Sequence, residues 1–209
     1  MQGMGELHVG RRGYVGLGPI GEDVTTVALV VPLAAVRGRT QDFRRGFFAE
    51  LERYPRLSGR FERRRLVRDV LATGPFAQWA RRPAVNGALL VGDAADFFDP
   101  FTGQGIYAAL RGAELAADCL IPALARGATS TIYVTMLEPY VRARRREFAS
   151  KWALERLIGL GVGWPALTER VVGRLARRPD LADLLVGATG NFVPARRVLA
   201  AGFLARLLW

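Results

Sequence analysis

The chain has 209 residues, half of them hydrophobic and a tenth aromatic, which suffices for one substantial domain or two small ones and argues against disorder. Thirty basic residues against nineteen acidic ones give a formal charge of +11, spread along the chain, which excludes a basic tail. The single cysteine excludes a cysteine-cluster metal site, and the single histidine argues against a His-ligated zinc site and a Ser-His-Asp triad.

The first stretch, residues 1–83, is predicted to be β-rich with one helix. Short strands are expected at residues 6–9 and 13–17, and a longer β-branched strand at residues 24–31. Thr40 is typical of a helix N-cap, and helical spacing of apolar residues predicts a helix over residues 41–54. Weak alternation over residues 66–73 favours one more strand.

The rest of the chain combines one strand with helices. Residues 87–91 form a short continuous apolar run, which is typical of a parallel strand buried on both faces. A helix is expected from about Gly103 to Leu120, with Pro122 beyond its end. Residues 128–209 are predicted to be helical throughout, with helices at residues 129–160, 165–178, 179–186 and 194–208. Pro139 either kinks the first of these or divides it in two.

The segment that joins the expected strand to the next helix carries the chemistry. Gly92 and Asp93 end the strand, Asp99-Pro100 lies in the following loop, and Gly103-Gln104-Gly105 opens the helix. Ligands of open α/β sheets sit outside the carboxyl ends of strands, and a helix start offers free N–H groups.

These residue types suit a flat ligand that carries hydroxyl groups. Gly103 and Gly105 remove side chains that would keep such a ligand from the backbone. Asp93 can accept hydrogen bonds from hydroxyls, and Pro100 offers a rigid apolar surface to a ring. The alternative is purely structural, with glycine for tight packing and Asp93 as a local cap.

The same segment resembles the second flavin motif of FAD-dependent oxidoreductases of the geranylgeranyl reductase, flavin halogenase and aromatic hydroxylase group. The resemblance rests on Gly92-Asp93-Ala94-Ala95, on Asp99-Pro100-Phe101-Thr102-Gly103, and on Gly105-Ile106. It implies a partial α/β FAD/NAD(P)-binding flavoprotein fold. The expected domains are a substrate-domain β-sheet remnant at 1–83, the last strand and helix of the FAD domain at 84–127, and a C-terminal helical region at 128–209.

The resemblance also assigns cofactor contacts. Gly92 and Asp93 would lie against the ribityl or pyrophosphate part of FAD, and Pro100 would stand beside the isoalloxazine ring. The O2/N1 edge of the ring would face the backbone of four residues: Gly103, Gln104, Gly105 and Ile106. No catalytic side chain and no metal is expected, because the cofactor supplies the redox chemistry.

Two substitutions and one missing motif set this chain apart from the group. Asp96 stands where the group usually has glycine, and Gln104 where glutamate is common; both change the polarity expected near the cofactor. A strand, G-x-G-x-x-G turn and helix for the ADP half of FAD are not found in the sequence. We therefore expect the chain to be the carboxyl-terminal portion of a longer flavoenzyme.

The function that the resemblance implies is reduction of a small hydrophobic substrate in the manner of a prenyl-chain reductase, with NAD(P)H as a candidate electron donor. One alternative is a flavin-dependent monooxygenase or hydroxylase of an aromatic or polyketide substrate. Another is a non-catalytic remnant that acts as a binding or scaffold module.

The expected partners and location follow from charge and hydropathy. The arginine runs lack interleaved aromatic residues, which argues against nucleic acid. No secretory signal or run of about 18 apolar residues is found, so the expected location is cytoplasmic. Residues 193–209 form an amphipathic segment that either contacts a membrane surface peripherally or packs onto the protein.

Overall fold

The computed structural model describes residues 4–36, 42–125 and 132–208. These residues form a mixed α/β structure of small antiparallel sheets and helices, which agrees with the expected class at that level. The chain divides into two compact units, one of Met1–Pro75 with Gly161–Leu167 and the other of Phe76–Leu160 with Thr168–Trp209.

The elements are numbered in chain order. The strands are β1 (Glu6–Gly10), β2 (Gly13–Ile20), β3 (Val24–Val30), β4 (Gln78–Trp79), β5 (Ala84–Val85), β6 (Ala88–Leu89) and β7 (Asp96–Phe97). The α-helices are α1 (Leu33–Val36), α2 (Phe43–Leu51), α3 (Gly105–Ala125), α4 (Val134–Val162), α5 (Pro165–Arg177), α6 (Pro179–Thr189) and α7 (Ala201–Leu208). Short 3₁₀ turns lie at Arg63–Arg65, Gly92–Ala94, Pro100–Thr102 and Ala195–Arg197.

The first unit contains an antiparallel sheet in the order β1-β2-β3, as the β-rich sequence predicts. The turn between β1 and β2 ends at Gly13, whose φ is +129°. A Cβ on Gly13 would lie 1.9 Å from the carbonyl oxygen of Val30, so only glycine fits between these strands.

A helix covers one face of this sheet and completes the core of the first unit. Val15 and Leu17 of β2 pack with Phe48 and Leu51 of α2 and with Leu57 beyond it, and all five are buried. Asp42 caps α2, because its Oδ1 accepts a hydrogen bond from the N–H of Arg45 at 2.8 Å. Thr40, the predicted cap, lies outside the described residues.

The weak strand expected at residues 66–73 does not form. Those residues have no regular secondary structure, and Val67 and Leu71 are largely exposed. No strand of the described residues pairs with this segment, and a strand needs a paired neighbour as well as an alternating pattern.

The expected buried strand at residues 87–91 is also different in the structure. Only Ala88–Leu89 is a strand, and it forms an antiparallel hairpin with Ala84–Val85. Ala88 and Leu90 are exposed. A fully buried strand needs partner strands on both edges, and the described residues offer β6 a single partner.

The two long helices tolerate their prolines. Helix α3 runs one turn past the expected end and includes Pro122, and α4 is one helix that includes Pro139. Pro139 lies in the second turn of α4 and Pro122 in the last turn of α3. Proline has no backbone N–H, so near a helix end it costs one intrahelical hydrogen bond and leaves the other hydrogen bonds of the helix intact.

The carboxyl-terminal helices build a second core. Helices α5 and α6 begin with Pro165 and Pro179, as predicted. The single helix expected over residues 194–208 is instead a 3₁₀ turn followed by α7, and residues 198–200 form the turn between them. Val198 in this turn is 1% exposed and belongs to the second core. Phe203 and Leu207, one helical turn apart, bury the apolar face of α7 there.

Candidate functional site

A close packing between the Gly92 turn and helix α3 positions the site. Gly92 has a φ of +59°, and a Cβ on it would lie 3.0 Å from the Cβ of Ala109 in α3. One turn further along α3, a Cβ on Gly112 would lie 3.2 Å from Cγ1 of Val91. The two glycines therefore let the turn pack directly against the helix. This close packing agrees with the structural alternative, in which glycine is present for tight packing.

The carboxylate of Asp93 lies near the start of α3. Asp93 belongs to the 3₁₀ turn Gly92–Ala94 and is exposed. Its Oδ1 would be 3.8 Å from a Cβ on Gly105. No protein hydrogen bond to this carboxylate is found among the described residues, so it remains available to a ligand near the helix start.

The loop between the two glycine turns has a defined shape. Oδ1 of Asp99 accepts a hydrogen bond from the N–H of Phe101 at 2.8 Å and thereby caps the 3₁₀ turn Pro100–Thr102. Gly103 ends that turn in the left-handed conformation, with φ of +68°. Pro100 is exposed on this turn.

The start of α3 is open. Gly103, Gly105 and Ile106 are exposed, and a Cβ on Gly103 would meet nothing within 4 Å. Ala108 donates its N–H to the carbonyl of Gln104 at 2.9 Å, whereas the N–H groups of the first helical turn precede any intrahelical acceptor. The positive end of the helix dipole therefore faces an uncovered surface.

Gln104 is the exception among the predicted residues, because its side chain is buried. Its Nε2 donates a hydrogen bond to the carbonyl oxygen of Thr189, the last residue of α6. The amide side chain thus holds the loop to α6, and the backbone of Gln104 is the part left for a ligand.

A polar cluster that the sequence reasoning missed lies behind the helix start. The hydroxyl of Tyr107 donates to Oε1 of Glu147 at 3.1 Å, and the hydroxyl of Thr102 donates to Oε1 of Glu155 at 3.3 Å. Between the two glutamates on α4, Nζ of Lys151 lies 3.5 Å from the centroid of the Tyr107 ring. The spacing of Lys151 in the sequence indicates this cluster, because the only lysine of the chain stands four residues from a glutamate on either side.

Burial dominates the electrostatics of this cluster. Lys151 is 7% exposed, and its Nζ has no hydrogen-bond partner among the described residues. Burial lowers the pKa of Lys151 from 10.5 to about 8, against the opposing charges of Glu147 and Glu155. Burial also raises the pKa of Glu155 and of Tyr107 above their ordinary values.

Asp96, which stands where the resembling enzymes have glycine, forms an ion pair with Arg144 of α4. The guanidinium is buried and lies 5.2 Å from the centroid of the Trp152 ring. Burial lowers the pKa of Arg144. The extra carboxylate is therefore neutralised within the protein.

The residues of the helix start fit the flavin that the sequence resemblance implies. No side chain stands over Gly103, where an added Cβ would meet nothing within 4 Å, the first N–H groups of α3 precede any intrahelical acceptor, and Asp93 can accept from a hydroxyl. The described part of the chain brings no three His, Cys, Asp or Glu side chains together as a metal site would need. Nor does any described helix have the length and apolar character of a membrane span.

The structure brings an exposed carboxylate, that of Asp93, to an open helix start flanked by Gly103 and Gly105. No family model matches the chain. Three curated proteins do, and each is named digeranylgeranylglycerophospholipid reductase. The one from Methanospirillum hungatei is 46% identical over 71 residues, which are 34% of this chain and 17% of that protein.

The other two relatives extend the comparison. The Methanosarcina acetivorans protein is 29% identical over 146 residues, 68% of this chain and 34% of the relative. The Methanosarcina mazei protein is 36% identical over 73 residues, 35% of this chain and 18% of the relative. The matches thus span 17% to 34% of the relatives' lengths. They support the likeness to geranylgeranyl reductases at the level of the family.

Proposed function

We propose that the chain forms part of an FAD-dependent oxidoreductase that reduces prenyl chains of a lipid. The observation that carries the proposal is the open start of α3, with Gly103 and Gly105 exposed and the Asp93 carboxylate beside them. The names of the three relatives support the prenyl-lipid substrate. The matches cover at most 34% of the relatives' lengths, so the substrate is proposed from the names of the relatives.

Each proposed contact follows from the geometry of the site. The N–H groups of Gln104, Gly105 and Ile106 would donate to the O2/N1 edge of the flavin, where the helix dipole favours negative charge. Asp93 and Gly92 would hold the ribityl or pyrophosphate part, and Pro100 would contact the ring. When bound, FAD supplies the two-electron transfer, and NAD(P)H is the proposed donor to it.

The first test is flavin binding by the purified chain. FAD and FMN are titrated while flavin absorbance and fluorescence are recorded, and saturable binding is expected. Asp93→Ala should weaken binding about tenfold to a hundredfold, since it removes a charged hydrogen-bond acceptor. Asp118→Ala, at an exposed position on α3, is the matched control and should bind as the wild type does.

A second variant tests the backbone contact. Gly105→Val places a branched side chain over the proposed ring edge and should abolish binding while thermal unfolding confirms that the protein is folded. The proposal fails if flavin does not bind the wild-type chain, or if both variants bind it unchanged.

The chemistry is tested on a digeranylgeranyl lipid with chemically reduced flavin, and the product is analysed by mass spectrometry. A gain of two hydrogens for each double bond is expected. In a parallel reaction supplied with O2, a gain of one oxygen atom from O2 would instead favour the monooxygenase alternative. Parallel reactions with NADH and NADPH identify the donor.

A further inference from the structure

The second unit contains a cavity of about 240 Å³ that includes none of the residues proposed to contact flavin. Its walls come from the β4–β7 ladder, the residues around it, and one face of α4. The lining residues are Gln78, Trp79, Ala80, Pro83, Ala95, Asp96, Phe98, Val141, Arg144, Arg145, Trp152 and Arg156. Its volume is below the roughly 300–1,000 Å³ typical of whole small-molecule sites. It therefore suits one moiety of a ligand and is too small for a dinucleotide.

The charge of the cavity wall is positive. Three arginines face one carboxylate, and that carboxylate, Asp96, is paired with Arg144. No carboxylate of the described residues lies within 4.0 Å of the guanidinium nitrogens of Arg145 or Arg156. Two uncompensated positive charges thus remain on the wall, and guanidinium groups bind phosphate and carboxylate in a bidentate manner.

The rest of the wall is aromatic. Trp79 is 63% exposed, and the pairing of β4 with β7 places it opposite Asp96. Trp152 and Phe98 line the cavity as well, and the guanidinium of Arg156 lies 5.9 Å from the Phe98 ring. A large exposed indole beside a cavity is a surface that an apolar ligand group would cover.

The arrangement is elongated along α4. Arg145 and Arg156 are eleven residues apart, which is about 16 Å along the helix axis and close to three full turns, so both lie on one face. Trp152 lies between them. The apolar wall is therefore flanked by a positive charge at each end.

From this arrangement we propose that the cavity binds an amphiphile with a phosphate or carboxylate head. The apolar body lies against Trp79, Phe98 and Trp152, and the head meets Arg145 or Arg156. The proposal rests on the proposed function in one respect, since a phospholipid with prenyl chains is itself such an amphiphile. It involves none of the residues of the flavin site and is tested without flavin, so either proposal can fail alone.

The test is a titration of the purified full chain with decyl phosphate and decanoate, with decyl maltoside as the uncharged comparison, all below micelle formation. Trp79 and Trp152 line the cavity, so tryptophan fluorescence reports occupancy. Saturable binding of at least one anionic amphiphile is expected, and Trp152→Phe should reduce the signal.

Single variants identify the head-group contact. Arg145→Gln or Arg156→Gln should weaken binding about tenfold or more, as expected for loss of a charged hydrogen bond. Arg146→Gln, exposed on the same helix and outside the cavity, is the matched control for attraction to the net charge of the chain. Thermal unfolding of each variant shows that it is folded.

The outcomes are decisive. Weaker binding in one cavity variant, with Arg146→Gln unchanged, supports the site. Equal binding in all three variants, equal binding of decyl maltoside, or inorganic phosphate alone binding as tightly as the amphiphiles would overturn it. Preference between decyl phosphate and decanoate identifies which head group the site takes.

Discussion

Lys151 shows how one side chain is governed by its surroundings more than by its type. In the second unit its ammonium group faces the Tyr107 ring and the carboxylates of Glu147 and Glu155, and no described residue accepts a hydrogen bond from it. An ammonium group without such a partner is costly to bury, and loss of its proton relieves that cost.

This arrangement predicts how stability changes with pH. The pKa of Lys151 is about 8 in the folded chain and 10.5 when unperturbed, so between these values the unfolded chain binds the extra proton. The free energy of unfolding should therefore rise with pH across this window, by about 3 kcal/mol at most. Urea unfolding at several pH values measures it.

Lys151→Met is the matched comparison. The variant lacks the titrating group, so the rise should be absent from it. Parallel pH profiles for the two proteins would contradict the assignment.

The ion pair of Asp96 with Arg144 leads to a second prediction at the residue scale. Asp96→Ala leaves a buried guanidinium without its carboxylate and should lower the free energy of unfolding by about 3–5 kcal/mol. Glu138→Ala breaks the exposed pair with Arg142 on the same helix and should change it by about 0.5 kcal/mol or less. Similar losses in the two variants would show that burial of Arg144 does not decide the effect.

At the scale of elements, the critical contact is that of α3 with the turn that precedes it. Gly112→Leu forces a side chain into Val91, 3.2 Å from the new Cβ, and should destabilise the fold by about 1–3 kcal/mol. Gly173→Ala in α5 adds a Cβ that meets nothing within 4 Å and should stabilise by up to about 1 kcal/mol, because alanine favours helix over glycine. Denaturant midpoints measure both, and a stable Gly112→Leu protein would argue against close packing.

Tertiary packing decides whether the apolar face of α7 is buried in the protein or available to a membrane surface. Its sequence is amphipathic and suits either a membrane surface or a protein core. In the structure Phe203 and Leu207 are buried in the core of the carboxyl-terminal helices, and Arg206 lies on the exposed side of the helix. Peripheral membrane contact through inserted apolar residues of α7 would need this core to open.

At the scale of the whole molecule, the charge of +11 governs association with anionic surfaces. We predict that the chain binds vesicles containing anionic lipid at low salt and is released as salt rises, because the screening length falls from about 30 Å at 0.01 M to about 10 Å at 0.1 M. Co-sedimentation measures this, with vesicles of neutral lipid as the control. Binding that persists at high salt would instead indicate apolar insertion.

Elements of the fold that depend only on neighbouring residues agree with the prediction, and elements that depend on distant partners do not. The strands of the first sheet and the starts of α5 and α6 agree with the prediction, since β-branched runs and proline act on their own neighbours. The expected strand at residues 87–91 is a short hairpin instead, because burial of a strand depends on which partners pair with it.

The features of the candidate site are likewise either local in sequence and predicted, or long-range and not predicted. The motif indicated the glycine turns, the position of Asp93 and the open start of α3, all within fifteen residues of chain. The hydrogen bond of Gln104 to Thr189 links residues 85 apart, and that of Tyr107 to Glu147 links residues 40 apart. No local pattern specifies such pairs.

The sequence alone determined the strands of the first sheet, the starts of α5 and α6, the charge and the flavin-like motif, because each depends on residues within a few positions of one another. Only the tertiary structure decided that Lys151 is buried beside Tyr107, that Asp96 neutralises Arg144, and that a cationic aromatic cavity lies along α4. Those features depend on which helix faces pack together, and packing is set by the sum of many weak contacts across the chain.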